Sequence, residues 1–305
     1  MLFDDLNRML IGVVHLRATP GAPGGQAGEA WVEGLAAAVA DGVALAQGGC
    51  DGIIVENFGD VPFFAEEVPA ETVAAMALAV AEIRRAVVAV GAVGGMRAGG
   101  ATGTTGAAGG GERELAVGVN VLRNDWRSAL GICAATGASF VRVNVFTGAA
   151  VTDQGLIQGR AAEVLRERDR LCPGVAVLAD VHVKHAVPLG GGAIGEAARD
   201  TLLRGGADGV IVSGSATGGE VDLAELREVR EAVGGIGAGG SNSTGGNRGR
   251  VLVGSGLTEG NARELMALAD GAIVGTWVKE DGDVRRPVDV ARVRRIRAAL
   301  DGAAG

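Results

Sequence analysis

The sequence has no tyrosine, three tryptophans and six phenylalanines in 305 residues, so any core must be built from Val, Ile, Leu and Ala. Its three cysteines, Cys50, Cys133 and Cys172, are far apart and show no C-x-x-C spacing. That spacing argues against a disulfide framework or a structural zinc site, and reduced thiols of a cytoplasmic protein are expected. Basic charge is short as well: 28 Lys and Arg face 36 Asp and Glu, leaving a formal charge of −8. A general nucleic-acid surface needs a basic stripe, so no nucleic-acid partner is expected. The most apolar window, 74–93, is broken by Glu82, Arg84 and Arg85, and no membrane span is expected. Peripheral association through the Ala-rich helices stays open. The opening stretch MLFDDLNRMLIGVV carries two acids where a signal peptide carries basic residues.

Lysine is scarcest among the cations, with two against 26 arginines. A GC-rich codon bias explains the ratio, and under such a bias a retained lysine draws notice. Both Lys184 and Lys279 stand just after expected strands.

What is present is a rhythm. Short β-branched runs alternate with longer Ala/Leu/Arg/Glu segments of helical period. The strands are expected at Ile11–Leu16, Gly52–Asn57, Val117–Leu122, Phe140–Val145, Val177–Val183, Gly209–Gly214, Val251–Gly256 and Ala272–Thr276. Several follow Gly or Ala-Asp-Gly turns, the stop signal of a helix entering a strand. Eight such units indicate a (β/α)8 TIM barrel, an α/β fold, as one domain over residues 1–305. A doubly wound sheet is the alternative, although it does not usually need eight similar units. Two Gly-rich segments, 94–112 and 234–249, interrupt the pattern. They fall between a helix and the next strand, so they are expected to be flexible, dispensable insertions on the barrel face opposite the site. The second contains a G-x-G-x-x-G match at Gly235, Gly237 and Gly240, but a dinucleotide fingerprint must follow a strand and open a helix.

In the stretch LADVHVKHAVP, alternation places Asp180, His182 and Lys184 on one strand face, with Val181 and Val183 on the other. Arg142 and Asn144 alternate likewise with Val141, Val143 and Val145, and Asn120 alternates with Val119 and Val121. His15, Glu56 and Asn57 end the first two strands. The valines fit the helix-covered side, which turns the polar residues into the lumen near its C-terminal mouth. Charges there are costly unless paired or wetted. A buried hydrogen-bonded network without chemistry would account for them, but barrel enzymes take their catalytic residues from these strand ends. A second feature follows the last three strands, where Gly214, Gly254, Ser255, Gly256, Gly275 and Thr276 offer small residues and hydroxyls. Many barrels hold a phosphate there, although small glycine turns also occur for steric reasons.

The stretches GVNVLRNDWRSAL, FVRVNVFTGAAVTDQGLIQG, ADVHVKHAVPL, IIVENFGDVPF and VGSGLTEGNA together resemble the BtpA family, whose cyanobacterial members are implicated in photosystem I biogenesis. The resemblance runs from about Ile11 to Arg297 outside the two Gly-rich segments. It implies a ribulose-phosphate-binding-type barrel and supplies no established reaction. The residues themselves favour an enzyme that isomerises or cleaves a small phosphorylated metabolite by acid–base chemistry. Asp180 or His182 would move the proton, with Glu56 as the alternative base. Lys184 or Arg142 would stabilise an oxyanion, and His15, Asn57, Asn120, Asn144 and His185 would contact substrate. No cofactor is required, although Asp180, His182, His185 and Glu56 leave a divalent metal open, and a homo-oligomer is compatible. The rival class is a non-catalytic assembly factor for a membrane complex, which would need an exposed docking patch. None is legible in the sequence.

Overall fold

The computed structural model describes residues 8–25, 27–94, 115–214, 218–234 and 249–302. Eight parallel strands close into a barrel: β1 (Met9–His15), β2 (Gly52–Glu56), β3 (Ala116–Asn120), β4 (Phe140–Val143), β7 (Ala176–Val181), β9 (Gly209–Val212), β10 (Arg250–Val253) and β11 (Gly271–Val274). Between them run α1 (Glu29–Gly48), α2 (Ala70–Gly94), α3 (Trp126–Thr136), α4 (Ala161–Leu171), α5 (Ile194–Arg199), α6 (Leu223–Val233) and α7 (Ala262–Met266), and α8 (Val290–Gly302) follows β11. All eight expected strands are found. Among the described residues no helix is long and apolar enough to cross a membrane. The two Gly-rich segments lie outside the described residues except at their ends. Their flanks are α2 to β3 and α6 to β10, the helix-to-strand side of the barrel.

Alternation along each strand sorts the apolar residues into two layers. Val14, Val55, Val119, Val141, Val143, Val181, Val212 and Val253 pack outward beneath the helices. Met9, Ile11, Val13, Ile54, Ala116, Phe140, Leu178, Ile211, Leu252 and Ile273 fill the lumen. With so few aromatics available, Phe140 is the bulky plug of that lumen, and Gly118 makes room for it. A Cβ added at Gly118 would lie 2.2 Å from the Phe140 ring. Gly118→Ala is therefore expected to lose about 1–3 kcal/mol by overpacking, measurable as a lower urea midpoint with unchanged slope.

The Asp in three of the helix-to-strand turns has a further use at the N-terminal rim. Asp51 Oδ2 accepts from the Leu10 N–H (2.8 Å) and from Arg297 of α8 (3.0 Å). Asp208 Oδ2 accepts from the Val177 N–H (2.8 Å) and from Arg168 of α4 (3.3 Å). Asp270 Oδ2 accepts from the Val251 N–H (2.8 Å) and from Arg230 of α6 (2.7 Å). Each carboxylate thus joins the start of a neighbouring strand to a helix.

The C-terminal side holds an element absent from the sequence reading. β5 (Ala149–Thr152), β6 (Gly155–Gln158) and β8 (Ala186–Pro188) form an antiparallel sheet in the order β6-β5-β8. It draws its strands from two different loops, those after β4 and β7. Its inner face packs Ala150 and Ile157 on Val145 and Val183. Those last two valines were expected under the helices, and the sheet claims them instead. Its outer face exposes Val151, Leu156 and Val187, with Val151 opposite both of the others. This is an apolar patch that the sequence alone did not reveal.

Candidate active site

The strand ends His15, Glu56 and Asn120 stand in register across β1, β2 and β3. Together with Arg142, Asp180 and Ser213 they form a polar layer above the apolar plug. Arg142 is its centre. Its Nε and Nη2 donate to Asp180 Oδ2 and Oδ1, both at 2.8 Å, and its Nη1 donates to Glu56 Oε1 at 3.3 Å. Asn144 Nδ2 donates to Asp180 Oδ2 (2.9 Å), and Ser213 Oγ donates to Asp180 Oδ1 (3.3 Å). Asn120 Nδ2 donates to Glu56 Oε1 (2.9 Å). Arg142, Asp180, Glu56, Asn120 and Asn144 are all buried.

Electrostatics separates the two carboxylates. Asp180 receives four donors, close to the full acceptor capacity of a carboxylate, so it has little left to offer a substrate. Both bonds to Glu56 fall on Oε1. Burial pushes the Glu56 carboxyl up, but Arg142, His15, Lys184 and the Asn120 hydrogen bond outweigh it and hold the group below the usual carboxylate range. Arg142 is pushed above the ordinary guanidinium value, because Asp180 and Glu56 more than offset the burial that opposes its charge. Burial lowers the His15 imidazole to about 4, with Lys279, Lys184 and Arg142 adding to the effect against Glu56. His15 is therefore neutral at pH 7. Its Nδ1 is buried without a partner among the described residues, and its ring packs on Phe58 with centroids 4.6 Å apart.

The segment that follows β7 departs from the expected strand. β7 stops at Val181, and His182 takes φ 49°. His182 and Lys184 therefore do not continue the Asp180 strand face. His182 lines a cleft beside the barrel, and His185, at φ 57°, is exposed on a turn away from the lumen. Lys184 nevertheless stands within electrostatic reach of the polar layer. Burial lowers its pKa, as do Arg142 and Arg123, while Glu56 and Asp180 oppose them. Its ammonium makes no ion pair with a described residue. The Arg123 guanidinium donates to the Lys184 carbonyl (2.5 Å), and its buried Nε has no partner among the described residues. Burial also lowers Arg123 from its ordinary value.

Other expected residues serve the framework. Asn57 Oδ1 accepts from the Leu122 N–H (2.7 Å), and its Nδ2 donates to the Leu122 carbonyl and to Asp60. Its amide is spent on tying the loop after β2 to the end of β3. Lys279 is fully buried and paired with Asp41 of α1, so the second retained lysine is a structural one. Asn124 and Asp125 were not singled out in the sequence. Asn124 exchanges two bonds with the Val145 backbone, and Asp125 caps α3 through the Ser128 N–H while also accepting from the Val68 N–H.

The small residues after β9, β10 and β11 owe their size to packing. A Cβ at Gly254 would lie 2.3 Å from Ser213 Oγ, and one at Gly275 would lie 2.6 Å from the His15 ring. A Cβ at Gly214 or Gly256 would meet the Gly219 carbonyl at 2.4–2.5 Å. Ser255 Oγ accepts from the Gly214 N–H (2.9 Å) and donates to the Gly219 carbonyl (3.0 Å). Thr276 is half-buried beside Gly218. No cluster of three or more His, Cys, Asp or Glu is close enough to hold a metal among the described residues. Glu56 and Asp180 in particular already share the Arg142 guanidinium, which a cation would have to displace.

The BtpA family profile matches residues 6–108 and 111–302. The chain is 40% identical over 295 residues to the photosystem I biogenesis protein BtpA of Synechocystis sp., covering 95% of this chain and 87% of that one. It is 38% identical to an uncharacterised protein of Pyrococcus abyssi over 98% of both chains. Among solved structures, a thiamine phosphate pyrophosphorylase from Pyrococcus furiosus superposes with a TM-score of 0.54 at 13% identity, over 97% of both chains. An octameric ribulose-1,5-bisphosphate carboxylase/oxygenase from Pyrococcus horikoshii gives 0.55 at 17% identity, over 97% of this chain and 59% of that one. Identities this low speak for the fold alone, a closed (β/α)8 barrel. With the family profile spanning nearly the whole length and full-length relatives at 38–40% identity, the chain belongs to the BtpA family.

Proposed function

We propose that the protein is an enzyme that isomerises or cleaves a small phosphorylated metabolite by proton transfer at the mouth of the barrel. The observation that carries this reading is Lys184, a half-buried ammonium with no ion pair to a described residue, in the field of a polar layer that holds an ionised Glu56. An anion arriving at the mouth would give that ammonium the close partner it lacks there. Glu56 is the base in this reading. It is ionised at neutral pH, and Arg142 and Asn120 fix its orientation by bonding one oxygen. It takes a proton from the carbon beside a substrate carbonyl, and the electron pair moves onto the carbonyl oxygen. Lys184 stabilises that oxyanion and neutral His15 lies within the same electrostatic field. Transfer of the neighbouring hydroxyl proton to the oxyanion, with return of the carbon-bound proton to the former carbonyl carbon, completes an isomerisation, whereas re-formation of the carbonyl with expulsion of a leaving group from the β carbon completes a lysis. Asp180 acts by holding Arg142 and Asn144 in place. The phosphate is taken by Arg123 and Lys184, with Thr276 and the loops around Ser255 as the second cradle.

The test is thermal unfolding with ribose 5-phosphate, ribose and inorganic phosphate. A phosphorylated ligand at 100 times its Kd should stabilise the fold by about 2.7 kcal/mol, and ribose should not. Lys184→Met should remove most of that gain. It should also stabilise the free protein near pH 7, and the sign follows from linkage. A lysine whose folded pKa is depressed binds fewer protons folded than unfolded. Its penalty is absent above the ordinary lysine range and complete below the folded value. Equal stabilisation by ribose, or a Lys184→Met variant that unfolds more readily while binding normally, would refute the reading. Gly256→Val is unsuited to the purpose, since the Gly256 φ of 72° and the nearby Gly219 carbonyl make any side chain there disruptive whatever binds.

A second reading has one observation in its favour. The outer face of the small sheet exposes Val151, Leu156 and Val187, as a docking surface of an assembly factor would. The relative from Synechocystis is named for photosystem I biogenesis. That face lies apart from the polar layer, so the two readings are separable by substitution.

A further inference from the structure

Beside the barrel mouth, a cleft of about 260 Å³ opens between the loop after β4 and the segment that follows β7. Its walls are apolar at Val145, Ala150, Val183, Pro188 and Ala197. Asn144 and Asp180 line it as well, so cleft and mouth share that wall. α5 continues into a π-helical turn, Asp200–Arg204, which brings Thr201 Oγ1 to 2.8 Å from Thr147 Oγ1 across the cleft. Single π turns of this kind are frequent at functional sites. Glu196 and Asp200 stand exposed at the rim, and neither lysine nor arginine lines the cleft.

The decisive atom is Asn144 Oδ1. Asn144 is 3% exposed, and its Oδ1 is buried with no hydrogen-bond partner among the described residues. Its orientation is fixed by chemistry, because the other end of the amide bonds the Asp180 carboxylate, which accepts only. The free edge must therefore be the oxygen, and only a donor can satisfy it. Buried acceptors left unmet are uncommon and costly. Asp200 shares its charge with Arg204 (3.8 Å), and Glu196 leaves the rim negative, so an incoming cationic or neutral donor is favoured there over an anion.

We propose that this cleft is a second subsite for the same small molecule. It takes the non-anionic, hydrogen-bond-donating end, an amine or a hydroxyl, while the cations of the mouth hold the phosphate. The inference rests on the mouth reading above and adds the polarity of the substrate: phosphate at one end, a donor at the other. Proton transfer by Glu56 then takes place between the two ends.

The experiment is calorimetric titration at low salt with glucosamine 6-phosphate, glucose 6-phosphate and 6-phosphogluconate, which share the phosphate and differ at the far end. Affinity should fall in that order, with roughly five- to tenfold between the ammonium and carboxylate compounds, as expected for interactions with partly exposed charges. Glu196→Gln with Asp200→Asn, both surface changes, should compress the spread to within about twofold. Ala197→Phe should fill the cleft and reduce all three ligands to the affinity of inorganic phosphate. If the three compounds bind equally well, or keep their full spread in the Glu196→Gln/Asp200→Asn variant, the subsite is refuted and the mouth reading stands. If none of them binds, both fall together.

Discussion

Arg142→Met is expected to lose roughly 3–5 kcal/mol of stability at pH 8 and clearly less at pH 5. The arginine is the shared partner of two buried carboxylates, so its loss strands both in a low-dielectric layer. The pH dependence follows from Glu56. With Arg142 present the Glu56 pKa lies below its unfolded value, so its contribution is in place above the ordinary carboxylate range and is lost as pH falls through the folded value. Without Arg142, burial becomes the dominant influence and the folded pKa rises above the unfolded one. The folded state then binds more protons, and acidification restores stability until the unfolded carboxyl is protonated as well. Urea unfolding at the two pH values measures this directly. A loss of equal size at both would mean that the carboxylates are not the stranded charges.

Glu56→Gln should behave in the opposite way, keeping the fold and losing the chemistry. Glutamine can still accept from Asn120 Nδ2, and Arg142 keeps its two bonds to Asp180. Turnover should drop by roughly 10²–10⁴, the usual contribution of a general base. Affinity for the phosphorylated ligand should hold or tighten, because one negative charge has left the mouth. The assay uses whichever sugar phosphate stabilises the wild type, with melting temperature recorded alongside. Turnover within threefold of wild type would remove Glu56 from the reaction. Ready unfolding with normal turnover in the surviving fraction would make the layer a structural network.

The alternation of period two was sufficient to place Arg142, Asn120 and Glu56 inward and Val141, Val119 and Val181 outward, because strand geometry is local. The same alternation misled beyond Val181. In VHVKH, Val183 is buried beneath the small sheet rather than beneath helices, so a loop reproduced the polar–apolar pattern of a strand. The sheet itself was missed since β5 pairs with β8, whose partner residues lie more than thirty positions away in the chain. Arg123 and Asn124 were passed over for a related reason: their significance comes from the Lys184 carbonyl and the Val145 backbone, and nothing local marks those contacts. Lys279 shows the limit of compositional reasoning. The scarcity of lysine draws notice to the position, but a buried partner on α1 accounts for it without a ligand. Glycine at 214, 254, 256 and 275 was equally ambiguous, and the neighbouring atoms show that close packing alone suffices to explain it.

The aspartates that open β2, β9 and β11 have an evolutionary consequence. Asp51, Asp208 and Asp270 fasten strand to helix at the rim opposite the polar layer, using bonds that do not depend on what the loops at the other end look like. Charge-assisted bonds of this kind are worth about 1.5–3 kcal/mol each when well formed and less where water reaches them. A reserve of that size, held apart from the mouth, offsets the cost of a lysine and an amide oxygen without partners among the described residues and of a histidine at positive φ. Substitutions in the loops at the other rim leave that reserve intact, so a barrel of this kind can change those loops and keep its fold.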